Sequence, residues 1–216
     1  MKNIRIYLGI LVFGSLWGFS ECIIGSFLRD VGLPAGAIMT AVFAVGLMSL
    51  SRVLYQQRGM QMGMGMVAGM LRLCNPFGGC FLCSAIAIMA EGAIFEVFWY
   101  KLSLDRKVFT GFTLPSSLGV ITAYGVYVGG YIVTQIMTPF VSSAGFYLEN
   151  LVVFLPQIFA SGLLAAVLGG VVVPVVFLSR SMHIVVPERV RYPVSLGVSV
   201  FCWVAVIVNT VYLLWL

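Results

Sequence analysis

Glu21, Arg72, Asn75, Gln135, Gln157 and Asn209 are ionisable or amide side chains set inside, or at the edges of, long apolar runs. A charged side chain at the centre of a bilayer costs about 2.5–3.5 kcal/mol on insertion scales, so those that remain face a bundle interior or a water-filled cavity. Charges and amides of this kind can hold a ligand by ion pairs and hydrogen bonds. Arg72 is the natural partner of Glu21 or of an anionic ligand group. The competing reading is that these groups bond helix to helix or snorkel to the headgroups. Glu91 and Glu96 are a different case. Five positions apart on one helix, they point about 140° away from each other, so they do not form a paired-carboxylate site. One of them therefore contacts a neighbouring helix or a partner subunit. A carboxyl at the depth of Glu91 must be neutralised or paired, which makes Glu91 and Glu96 candidates for a proton or charge role.

Two further patterns invite a metal. Cys74, Cys80 and Cys83 form a C-x5-C-x2-C group, which suits zinc, an iron-sulfur cluster or a disulfide. A fourth ligand is missing: Cys22 and Cys202 belong to other helices, and the single histidine, His183, falls on the opposite face. Apolar cysteines at a helix start are the simpler reading. Met60, Met62, Met64, Met66 and Met70 alternate with glycine. Only 60/64, 62/66 and 66/70 align by four, so the thioethers wrap around more than one face and read as adaptable packing between close helices. One histidine excludes bis-histidine haem ligation within the chain. No Walker motif, nucleophile elbow or HExxH occurs. The expectation is no enzyme, no metal and no cofactor.

The elements that must position these residues are membrane helices. Of 216 residues, 61% are hydrophobic and 9% charged, against about 25% charged in a soluble domain. The mean hydropathy of +1.09 leaves no stretch polar enough to build a separate soluble core, so residues 1–216 read as one integral membrane domain. The net charge of +5 comes from basic residues scattered singly between apolar runs, which argues against nucleic acid as a partner. A span needs about 20 mostly apolar residues. Such runs predict an all-α, polytopic transmembrane bundle of about seven helices, near 5–27, 33–51, 59–74, 80–101, 116–139, 152–178 and 194–216. The third is short and rich in Gly and Met.

Lys and Arg are retained on the cytoplasmic side of short loops. If all seven segments cross with the N-terminus inside, the inner face holds Lys2, Arg5, Arg52, Arg58, Lys101, Arg106, Lys107, Arg180, Arg189 and Arg191, and the outer face only Arg29 and Arg72. That asymmetry is lost if the third segment does not cross. The C-terminus is then expected outside, and Glu21, Arg72, Asn75, Gln135, Gln157 and Asn209 all fall in the outer half. The inner half offers mainly Glu96, with Glu91 near mid-depth.

Between Leu33 and Tyr100, about a third of the chain resembles the substrate-capture (S) components of energy-coupling factor (ECF) transporters. The residues that carry the likeness are Pro34-Ala35-Gly36-Ala37, Arg52, the glycine-rich segment ending in Arg72, Asn75-Pro76-Phe77-Gly78-Gly79, and Ala85-Ile86-Ala87-Ile88-Met89-Ala90-Glu91-Gly92 leading to Glu96. The resemblance implies a small membrane subunit that binds a vitamin or similar nutrient near the outer surface. It also implies a coupling subunit and ATPases as partners. In that family the first helix often carries AxxxA where this chain has Gly14 and Gly18, the implied contact with the partner. Six helices are typical, where seven are read here.

The expected function is a substrate-binding subunit of a small-molecule transporter in the cytoplasmic membrane of a prokaryote, with Glu21, Arg72, Asn75, Gln135 and Gln157 lining an outward pocket. From another class comes a non-catalytic subunit anchoring or organising a larger respiratory or redox complex, and metal handling through the methionines and cysteines is a third reading.

Overall fold

A computed structural model describes residues 2–76, 81–100, 112–141, 149–179 and 188–215. Seven helical rods run through them: α1 (residues 2–30), α2 (Ala35–Tyr55), α3 (Met60–Leu73), α4 (Phe81–Trp99), α5 (Thr113–Val141), α6 (Glu149–Ser179) and α7 (Glu188–Leu214). No strand occurs among the described residues. All but α3 are long and apolar enough to cross a membrane. The outward faces of α6 and α7 expose Val167, Val171, Val175, Phe201, Val204 and Val208. Such a continuous apolar exterior is what a lipid solvent, not water, accommodates.

At 14 residues, α3 is about 21 Å long, short of a hydrocarbon core of about 30 Å. Its direction is nevertheless clear. Gly14 and Gly18 on α1 lie against Val67 and Leu71 respectively, so α1 and α3 run parallel, whereas Gly65 meets Gly92 and Gly69 meets Met89 on an antiparallel α4. Glycine permits each approach: a Cβ on Gly14 or Gly18 would stand 2.7–3.0 Å from α3 atoms. Helices in lipid gain little from apolar burial alone, and close backbone packing through small residues supplies the attraction instead. The placement corrects the partner-contact assignment of Gly14 and Gly18. Both are buried inside the subunit and their surface is already occupied by α3.

The methionines of α3 divide by face. Met60 and Met64 are fully buried in the main core, while Met62, Met66 and Met70 are about half exposed. The central helix is α2, the most buried of the six long ones, in contact with α1, α3, α4, α5 and α6. Helix α7 is peripheral and packs chiefly on α1, where the Trp203 indole N–H donates to Ser15 Oγ at 3.1 Å.

A polar clasp closes one end of the bundle. Arg52, buried on α2, pairs with Glu96 of α4 at 3.5 Å and donates to the carbonyls of Trp99 (2.8 Å) and Gln57 (3.2 Å). The other Glu96 oxygen accepts the backbone N–H of Gln61 at 3.2 Å. That amide lies in the first turn of α3, where no intrahelical acceptor exists, and the cap residue Gly59 has no side chain to offer. Glu96 thus caps α3 from a different helix. Arg52 and Gln61 are buried together with Glu96 at this end of the bundle.

Candidate functional site

Away from the clasp, the first six helices enclose a cavity of about 700 Å³. Two interruptions of regular helix shape its wall. In α1 the turn Ser20–Ile24 is π-helical, with the Gly25 amide donating to the Ser20 carbonyl five residues back. In α2 the stretch Met39–Val45 is also π-helical. A π-turn rotates the side chains after it by one extra residue, and such turns are frequent at functional sites. Here the first carries Glu21 and the second Thr40, both on the cavity wall.

Glu21 accepts the Trp17 indole N–H at 3.2 Å. Arg29, exposed on the same helix, stands at the rim. At the end of α3, Arg72 is 3% exposed and donates to Ser84 Oγ (3.2 Å) and to the Asn75 carbonyl (2.6 Å). Those two bonds fix its guanidinium against the cavity. Helix α4 contributes Cys83, Ser84, Ala87, Ile88 and Glu91, the spacing of one helical face. Glu91 is 6% exposed. Its Oε1 accepts from Thr40 Oγ1 at 2.9 Å, and its Oε2 is buried with no hydrogen-bond partner among the described residues.

Helix α5 presents Tyr127, Tyr131, Thr134, Gln135 and Thr138. The two tyrosine rings stand 4.6 Å apart, tilted by 36°. Room for them comes from α2, where a Cβ on Gly36 would sit 2.5 Å from the Tyr131 hydroxyl. Gly130 does the same for Glu91, whose Cγ would lie 2.9 Å from an added Cβ. Thr134 and Thr138 donate to the carbonyls four residues back, whereas Gln135 Oε1 is buried without a partner among the described residues. Ser161 and Leu164 of α6 complete the wall.

The structure therefore brings Glu21, Arg72, Gln135 and Glu91 to one cavity. Asn75 is buried behind it and acts through its carbonyl on Arg72. Gln157 is a correction: it is exposed and absent from the cavity wall. Ile158 and Ser161 are the residues α6 turns inward, and the 100° step between neighbours sends Gln157 outward. Glu96 belongs to the clasp, so the two carboxylates of α4 do face different surroundings. Cys83 is disulfide-bonded and Cys74 is free; Cys80 and His183 lie outside the described residues, among which no group of three or more metal-ligating side chains assembles.

Neither a protein-family model, nor a curated protein, nor a solved structure matches this chain.

Proposed function

We propose that the chain is a membrane-embedded, substrate-binding subunit of a small-molecule transporter. The observation that carries this reading is the cavity itself. Its volume falls within the roughly 300–1,000 Å³ of small-molecule sites, and such sites combine apolar walls with a few convergent polar groups. Here Met39, Ile88 and Leu164 supply apolar surface, while Glu21, Arg72, Glu91 and Gln135 supply the polar contacts. Structural glue alone needs no open space: Arg52, Glu96 and Gln61 join helices by direct contact in the clasp, whereas Glu21, Arg72, Glu91 and Gln135 line a cavity.

The direction of α3, parallel to α1 and antiparallel to α4, supports counting it as a crossing despite its length. With seven crossings and the basic residues inside, the cavity opens to the outer face of a prokaryotic plasma membrane. Transport energy then comes from elsewhere, and a coupling subunit with ATPases is the partner the reading requires. The test is purification from native membranes in mild detergent, with proteomic and small-molecule mass spectrometry of one eluate. Recovery of a membrane coupling subunit, ATPases and a small solute supports the reading. Recovery of oxidoreductase subunits and no solute would replace it with an anchoring role.

A further inference from the structure

The orphaned oxygens of the cavity restrict what its ligand can be. Glu91 Oε2 and Gln135 Oε1 are both acceptors, both buried, and both without a donor among the described residues. A buried acceptor left unmatched costs about 1–3 kcal/mol, more when it is charged, so a bound molecule that supplies the donors is favoured over one that does not. The cationic side chains do not fill this role. Arg72 is held by Ser84 and Asn75, and Arg29 stands exposed at the rim. Thr40 satisfies only the other oxygen of Glu91.

Beside these acceptors stand the tilted rings of Tyr127 and Tyr131. A tyrosine face attracts a cation within about 6 Å of its centroid. Resting on the reading of this cavity as a substrate site, we propose that its ligand carries a protonated amine or amidine, whose N–H groups bond Glu91 Oε2 and Gln135 Oε1 beside the two tyrosines. An anionic group on the same molecule would be directed to the Arg72 and Arg29 side. Discrimination follows from the unmatched acceptors: an analogue of equal shape lacking the N–H donors leaves Glu91 Oε2 and Gln135 Oε1 unmatched and is rejected.

Tryptamine, N-acetyltryptamine and indole-3-propionic acid share one skeleton and differ in presenting a cation, a neutral amide or an anion. Binding of each to the full chain in nanodiscs is measured by calorimetry, with wild type, Glu91→Gln and Gln135→Leu. The expected result is that tryptamine binds at least about tenfold more tightly than the other two, the factor produced by about 1.4 kcal/mol. Glu91→Gln, which keeps the acceptor for Thr40, removes that preference, and Gln135→Leu reduces it. Thermal unfolding of each variant establishes that it is folded; should Glu91→Gln fail to fold, Gln135→Leu carries the test. Preference for indole-3-propionic acid, or binding of none of the three, overturns the proposal. In either case the substrate-site reading is judged separately, by whether any solute is extracted from protein purified from native membranes.

Discussion

Replacing Glu96 by alanine strips the clasp of its only carboxylate. Arg52 is 5% exposed, and its remaining partners are the carbonyls of Trp99 and Gln57. Breaking a buried ion pair by removing one member leaves an uncompensated charge and costs about 3–5 kcal/mol. The Gln61 amide loses its acceptor as well, which adds about 1–3 kcal/mol for a buried unsatisfied donor. Glu96→Gln keeps an acceptor for Gln61 and should lose only the charge term. Joint replacement of Arg52 and Glu96 by methionine removes both charges and should be milder than Glu96→Ala, since apolar substitutes for a buried pair are often neutral. Equilibrium unfolding in mixed micelles reads these differences through the fluorescence of buried Trp17 and Trp99. A Glu96→Ala loss below about 1 kcal/mol, or a double variant as unstable as the single one, would mean that the Arg52–Glu96 pair does not hold the clasp.

Gly18→Leu should destabilise the fold by about 1–3 kcal/mol or more through overpacking, because its Cβ would meet Ala68 and Leu71 of α3 at 2.9–3.0 Å; a stable variant that merely lost a partner subunit would restore the partner-contact role. Under non-reducing conditions a maleimide should label Cys74, whereas Cys83 should become reactive only after reduction and unfolding, as peptide mapping by mass spectrometry would report. Gly36→Leu should abolish ligand binding with the bundle still folded, since its Cβ alone would press within 2.5 Å of the Tyr131 hydroxyl; calorimetry and a melting curve on the same sample separate the two effects.

Glu21, Arg72 and Gln135 were legible because hydrocarbon makes each expensive, so residue type and depth alone mark them as facing inward; Glu91 was read from its depth only as a candidate for a proton or charge role, and its place on the same wall follows from the rotation of α4. Gln157 misled because depth says nothing about rotation, and one residue is the difference between cavity and lipid. Thr40, Tyr127, Tyr131 and Ser161 carried no signal. Hydroxyls are common in membrane helices and satisfy themselves on nearby carbonyls, as Thr134 and Thr138 do. The π-turns that aim Glu21 and Thr40 left no mark on the composition of α1 or α2, whose glycines and apolar residues are compatible with ordinary helix. Gly14 and Gly18 were assigned to a partner subunit by resemblance alone; a small-xxx-small pair marks a close approach without naming the helix that makes it, and here that helix is α3. Gln61 was missed because it follows the turn at Gly59 and reads as interfacial, until Glu96 is seen to reach it.

Whether the cavity holds a solute is decided by native mass spectrometry of the chain released from its own membrane, compared with Gly36→Leu. A one-to-one complex with a small solute is expected in the wild type, and its loss in a variant that melts at a similar temperature. Bare chain and lipid adducts alone in the wild type, or an equal solute adduct in both proteins, would contradict a substrate site in this cavity.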